Sequence, residues 1–130
     1  IVVCAAAVGD FKVEKFNNEK IKKSGNTLNL ELNENVDILK SIGTRNSKRP
    51  KLVIGFAAET NNLIENATKK LNSKGSDWII ANDVSNGKVI GKSHNEICLI
   101  SNHGVENWPE MTKSDVAKKL SQRIVDHFSL

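Results

Sequence analysis

A chain of 130 residues with a formal charge of +4 suits a single domain with its own core, needing neither disulfides nor a structural metal. The charge excess is mild and admits nucleic acid, anionic metabolites or no partner in particular. No run approaches the ~18 apolar residues of a membrane span, so none is expected.

The chain begins Ile-Val-Val-Cys, with no methionine and no basic leader ahead of an apolar core, which points to a fragment of a longer protein. Ile1 to Val8 is a continuous apolar run and predicts a fully buried strand. Gly9 to Gly25 is polar, rich in Lys and Asn, and predicts a long loop of the kind that carries function or moves. Thr27 to Leu32 alternates Leu28, Leu30 and Leu32 with polar residues and predicts a half-buried strand. Asn35 is positioned to cap a helix reaching about Gly43, and Arg45 to Pro50 reads as a turn.

Lys51 to Ala58 predicts a second buried strand. A helix follows, capped by Thr60 or Asn61, with Leu63, Ile64, Ala67 and Leu71 as its apolar stripe and a stop near Gly75. Asp77 to Ala81 predicts a third buried strand, Asn82 to Asn95 a loop, and Glu96 to Ser101 a further strand ending in a Gly104 turn. Ser114 is the expected cap of a last helix, with Val116, Leu120, Ile124 and Phe128 facing inward. Buried strands alternating with helices define an α/β domain over residues 1–130 with a largely parallel sheet and right-handed crossovers.

Cys4 and Cys98 both lie in apolar strand-like runs, the setting of free thiols in a reducing, cytoplasmic compartment rather than of a disulfide. Neither has a Cys or His at metal-ligand spacing, so no protein-bound metal is expected. His94, His103 and His127 are scattered and read as surface or loop residues.

In parallel α/β sheets ligands sit beyond the carboxyl ends of the strands, and of four stretches that can carry chemistry three fall at those ends and one on a helix. Asp10 is followed by Lys20-Ile21-Lys22-Lys23: a strand-end carboxylate that can take a ligand's donors or help hold a cation, then a lysine loop that can close over phosphates or simply be solvated. Gly55-Phe56-Ala57-Ala58-Glu59-Thr60-Asn61-Asn62 can bring backbone and a helix N-terminus to an anion with Phe56 beside a base, or can be tight strand–helix packing. Lys70 and Lys74 share a helix face near its C-terminus, either as a phosphate clamp or as a favourable dipole contact. Ala81-Asn82-Asp83-Val84, with Gly91-Lys92-Ser93-His94-Asn95 after it, can orient a ligand or end a strand in an Asx turn. No P-loop, no Gly-x-Gly-x-x-Gly and no Ser/His/Asp or Cys/His arrangement is present.

Taken in order, Ala5-Ala6-Ala7-Val8-Gly9-Asp10-Phe11, Glu19-Lys20-Ile21-Lys22-Lys23, Asn35-Val36-Asp37-Ile38-Leu39, the Gly55–Asn62 stretch and Ala81-Asn82-Asp83-Val84 resemble phosphopantothenate–cysteine ligase. The resemblance covers essentially the whole chain. In bacteria that activity is usually the C-terminal part of a bifunctional flavoprotein whose N-terminal part is phosphopantothenoylcysteine decarboxylase. It implies the C-terminal portion of a three-layer, Rossmann-like fold with a mostly parallel sheet. It implies a ligase of coenzyme A biosynthesis: CTP with Mg2+ activates 4′-phosphopantothenate as an acyl-cytidylate, and the amine of cysteine displaces CMP. FMN belongs to the decarboxylase part alone.

The resemblance places Cys4, Ala5, Ala6, Asp10, Lys20, Val36, Asp37, Ile38, Leu39, Phe56, Lys70 and Lys74 at the nucleotide. Ala6 and Asn82 lie on the substrate side, and Lys20 serves the chemical step from a mobile loop. It also implies a cytoplasmic homodimer whose sites are completed by the partner. Two departures stand out: Val36 occupies a place where relatives often carry proline, and the glycine-rich N-terminal half that holds phosphopantothenate is not in the chain. Two rivals remain. One is a non-catalytic nucleotide-binding module or sensor. The other is a nucleic-acid domain using the lysine loop, although Phe11 and Phe16 are the only aromatics near it and no recognition motif accompanies them.

Overall fold

A computed structural model describes residues 1–15, 18–22, 25, 27–84 and 94–129, with backbone only at 94–96. Lys23, Phe16 and the 91–93 stretch singled out above lie outside the described residues. The element order is β1 (Val2–Cys4), β2 (Phe11–Val13), β3 (Leu32–Glu34), α1 (Ile38–Gly43), β4 (Val53–Glu59), α2 (Leu63–Lys74), β5 (Trp78–Asp83), β6 (His94–Ser101), β7 (Gly104–Thr112) and α3 (Lys113–Phe128).

Strands order as β1-β4-β5-β6-β7 in one sheet, while β2 and β3 form a separate two-stranded antiparallel ribbon. β1, β4 and β5 pair in parallel, with Val2 opposite Val53 and Ile54 opposite Trp78, and β6 pairs antiparallel to both β5 and β7. Four of the five strands therefore point the same way, with β6 reversed, and the α/β, Rossmann-like layering expected from the sequence is the architecture observed.

The core divides across the sheet. Leu52, Ile54, Trp78, Ile80, Ile97, Leu99 and Trp108 pack with Val116 and Leu120 of α3 on one face. Ala57, Ile79, Ala81, Cys98 and Ile100 pack with Ala67 and Leu71 of α2 on the other, with Leu39 of α1 and Leu63 beside them. This alternation of odd and even residues along β4 and β5 is the two-faced burial that continuous apolar runs predict.

At the amino end of β4, Arg49 ties the helices together. Its guanidinium donates to the carbonyls of Gly43 (2.8 Å), Pro50 (3.0 Å) and Gly75 (2.8 Å) and to Asp77 Oδ2 (3.0 Å). Asp77 Oδ2 also accepts from the Val53 N–H at 2.7 Å. Gly43 and Gly75 let the ends of α1 and α2 meet. A Cβ on Gly43 would stand 2.7 Å from the Gly75 carbonyl oxygen, and Gly75 itself closes α2 at φ +63°.

Several expectations are corrected. The Ile1–Val8 run is not one buried strand: β1 stops at Cys4, sits at the sheet edge and leaves Val3 and Val8 exposed, because among the described residues β4 alone pairs with it. The expected loop Gly9–Gly25 contains β2, and the expected strand Thr27–Leu32 is displaced to Leu32–Glu34, with Leu28, Leu30 and Leu32 all exposed. α1 is capped by Asp37, whose side chain accepts from the Lys40 N–H, and not by Asn35.

Asn62 occupies the cap of α2 in a left-handed conformation without a side-chain cap bond, in place of Thr60 or Asn61. Thr112, not Ser114, caps α3 through the Asp115 N–H. Ile64 and Phe128 are exposed although their periodicity pointed inward. Asn82 and Asp83 continue β5 rather than opening a turn. Pairing continues past the Gly104 turn into β7, which the sequence reading missed. Its Pro109 breaks the strand pattern, and an edge strand tolerates proline because one side of its backbone needs no partner.

Candidate functional site

The chain turns away from the sheet after Cys4, and Ala5 to Asp10 run exposed across the end of β1. Asn35 pins that segment. Its Nδ2 donates to the Gly9 carbonyl at 2.8 Å and its backbone N–H to the Asp10 carbonyl at 2.8 Å. The residue expected to cap α1 thus closes a wall instead. Opposite it, the β3–α1 junction carries Val36, Asp37, Ile38 and Leu39. α1 can lie close to the sheet because Gly55 has no side chain: a Cβ there would run into the Leu39 side chain and stand 2.9 Å from Ile79 Cδ1.

Between these walls opens a cleft of about 780 Å³, of a size that accepts a small organic ligand. Cys4, Ala5, Ala6, Asp10, Val36, Asp37, Ile38, Leu39, Phe56, Lys70 and Lys74 all line it, together with Val3, Ala7, Val8, Gly9, Phe11, Glu34 and Asn35. The two lysines reach it from the second half of α2, since helical side chains lean toward the N-terminus of their helix. The N-terminal turn of α2 does not line the cleft; the helix presents its lysines to it and not its free N–H groups.

Both lysines are held by carboxylates. Lys74 Nζ bonds Asp37 Oδ2, and Lys70 Nζ lies 3.8 Å from Glu59 Oε1. Partial burial pushes the Asp37 carboxyl up, but the Lys74 hydrogen bond, the Lys40 N–H and the charges of both lysines outweigh it and hold the group below its ordinary value. Asp10 and Glu34 carry no ion pair among the described residues. Burial alone raises the Cys98 thiol, and both cysteines are free, Cys98 buried and Cys4 half-buried at the cleft.

Two expected residues stand apart from this group. Lys20 is exposed and does not line the cleft, and Asn82 is half-buried on β5, one strand removed from the walls because β4 lies between β1 and β5. Glu59 of β4, unremarked as an individual in the sequence, pairs with Lys70, and Asn66 of α2 donates to Glu59. Their only signal is the four-residue spacing of Asn66, Lys70 and Lys74. Among the described residues no group of three metal-ligating side chains forms and no helix is long and apolar enough to cross a membrane.

A β1-end loop, a strand–helix junction and lysines of the next helix thus enclose a cleft on a Rossmann-like sheet, and the protein is an α/β domain of that class. The chain belongs to the family described as the DNA/pantothenate metabolism flavoprotein C-terminal domain, whose model matches residues 1–128. It is 43% identical over 122 residues to the coenzyme A biosynthesis bifunctional protein CoaBC of Borreliella burgdorferi, covering 92% of this chain and 30% of that protein. It is 36% identical over 128 residues to CoaBC of Haemophilus influenzae, covering 98% of this chain and 32% of that one. A crystal structure of the C-terminal domain of CoaBC superposes with TM-score 0.66 at 35% identity, over 92% of this chain and 50% of its own length. The chain thus spans 30–32% of the length of these two curated relatives.

Proposed function

We propose that this chain forms the nucleotide side of a phosphopantothenate–cysteine ligase acting in coenzyme A biosynthesis. The observation that carries this reading is the cleft in which Asp10, Phe56, Lys70 and Lys74 converge on one anion-sized space. CTP would lie with its base against the Val36–Leu39 wall and Phe56, and its phosphates toward the lysines. Asp10, a cleft carboxylate unpaired among the described residues, fits the one or two carboxylates that a magnesium ion needs when phosphates and water supply its other ligands. Such an ion offsets charge on the triphosphate.

In the first step a carboxylate oxygen of 4′-phosphopantothenate attacks the α-phosphorus, and the bond to pyrophosphate breaks. In the second the cysteine amine attacks the acyl carbon, loses a proton and displaces CMP. Negative charge grows on the leaving pyrophosphate, so preset cations lower the barrier: Lys70 and Lys74 from the helix, and Lys20 from the loop. The enzyme needs no covalent nucleophile. The homodimer, the phosphopantothenate contacts through Ala6 and Asn82, and the choice of CTP belong to this same proposal.

The test uses the full-length protein with CTP, Mg2+ and 4′-phosphopantothenate but no cysteine. Pyrophosphate release that needs phosphopantothenate, followed by amide formation when cysteine is added, is the expected result. CTP binding without any pyrophosphate release would leave a non-catalytic nucleotide module, and activity with ATP in place of CTP would reassign the base.

A further inference from the structure

Along α2, Asn66, Lys70 and Lys74 recur every fourth residue and form one column beside the buried Ala67 and Leu71. Glu59, at the carboxyl end of β4, projects onto this column from the same face of the sheet as Ala57, which packs under α2. Its Oε1 is 3.8 Å from Lys70 Nζ, and Asn66 Nδ2 donates to its other oxygen at 3.5 Å while also donating to the Asn61 carbonyl at 3.0 Å. The backbone of Glu59 is held as well, since its carbonyl accepts from the Val84 N–H at 2.9 Å. Glu59 does not line the cleft; Lys70 does.

The two side chains are 21% and 34% exposed, so the pair is partly withdrawn from water and screened less than a surface pair. Unrestrained, a lysine loses much of its rotamer freedom when it settles on one partner. A carboxylate fixed to the sheet removes part of that loss in advance. At 3.8 Å the contact is an ion pair without a close hydrogen bond, so the ammonium keeps its donors for an incoming phosphate.

We infer that Glu59, itself steadied by Asn66, is a positioning residue that presets Lys70 for the phosphates of the nucleotide. The inference rests on the ligase reading above. It says that Glu59 acts only through Lys70. Removing Glu59 leaves the charge of Lys70 in the cleft but lets it wander, so the loss falls on kcat more than on the KM for CTP.

Steady-state ligation by the full-length protein tests this with Glu59→Gln, Lys70→Gln and the double variant. Lys70→Gln is expected to lower kcat/KM by about 100-fold, the scale of losing a preorganised charge donor, and Glu59→Gln by about tenfold, mainly in kcat. The double variant should match Lys70→Gln to within about twofold, because Glu59 has nothing left to position. Asn66→Ala gives the same reading should Glu59→Gln fold poorly: a fall of about threefold that vanishes in the Lys70→Gln background. Losses that multiply in the double variant, or a Glu59→Gln enzyme with wild-type kcat, overturn the inference while leaving the ligase reading intact. A Lys70→Gln enzyme with wild-type kinetics removes the cleft lysine from the reaction and overturns the inference, whereas an unaltered protein that forms no amide overturns the ligase reading instead.

Discussion

Gly43→Ala is expected to destabilise the domain although it replaces glycine in a helix. At an exposed helical site this change stabilises by ~1 kcal/mol, through lower chain entropy in the unfolded state and better helix propensity. Gly43 is buried at the end of α1, and the new methyl would collide with the Lys74 carbonyl, stand 2.7 Å from the Gly75 carbonyl oxygen and 2.9 Å from its carbon. Favourable contact begins near ~3.5 Å, so the Gly75 contacts alone require the backbones to part by roughly 0.7 Å, and the closer Lys74 contact requires more.

The obstacle is backbone, held on both sides by the Arg49 guanidinium, and cannot swing aside as a side chain would. Overpacking against such a wall costs about 3 kcal/mol, which leaves a net loss of about 2 kcal/mol after the propensity gain. For a domain of this size that lowers the melting temperature by roughly 6–10 °C. Because α1 also carries Asp37 and Leu39 into the cleft, the thermal shift produced by CTP should shrink in the same variant. Thermal unfolding followed by circular dichroism, with and without CTP, is the assay. A Gly43→Ala protein melting at or above the wild-type temperature would refute the close α1–α2 contact from which the loss is computed.

Asp37→Asn should flatten the acid limb of the stability curve. The folded carboxyl lies below its ordinary 3.8, so its contribution is present above that value and is lost as pH falls through the lower folded one. Urea midpoints that drop equally in both proteins below about pH 4 would remove Asp37 from that limb. Lys20→Gln should reduce acyl-cytidylate formation by ~100-fold with folding almost unchanged, since Lys20 is exposed and packs against little; near-normal pyrophosphate release would exclude it from the chemistry. The 130-residue chain alone should bind CTP more tightly than ATP or GTP, read as the larger rise in melting temperature, yet form no phosphopantothenoylcysteine. Amide formation by that chain would show that all the phosphopantothenate contacts the reaction needs lie within it.

The parts legible in the sequence are those where local pattern and tertiary environment agree. Val53 to Glu59 and Trp78 to Asp83 are apolar enough to be buried on both faces wherever they pair, and the helix they flank follows from its Ala67–Leu71 stripe and Gly75 stop. That alternation suffices for an α/β sheet. The segments of the cleft could be named from motif resemblance, and all but Lys20 and Asn82 of the residues so named line one space.

Only the tertiary structure decided what the apolar runs at the chain's beginning and in the ribbon would do. Val3, Val8, Leu28 and Leu30 read as buried, yet β1 has a neighbour on one side only and nothing covers the ribbon among the described residues, because burial depends on what packs against a segment and not on its own hydrophobicity. The caps shifted for a similar reason. Asn35 can cap a helix, but it donates to the Gly9 carbonyl across the cleft, and Asp37, the residue directly before Ile38, accepts from the Lys40 N–H and caps α1. β7 escaped notice because its edge position tolerates the polar residues and the proline that local pattern treats as breakers. The carboxylates that hold Lys70 and Lys74 come from β4 and the β3–α1 junction, eleven residues away in one case and thirty-seven in the other, and a pairing of that range is set by the packing of α1 and α2 on the sheet.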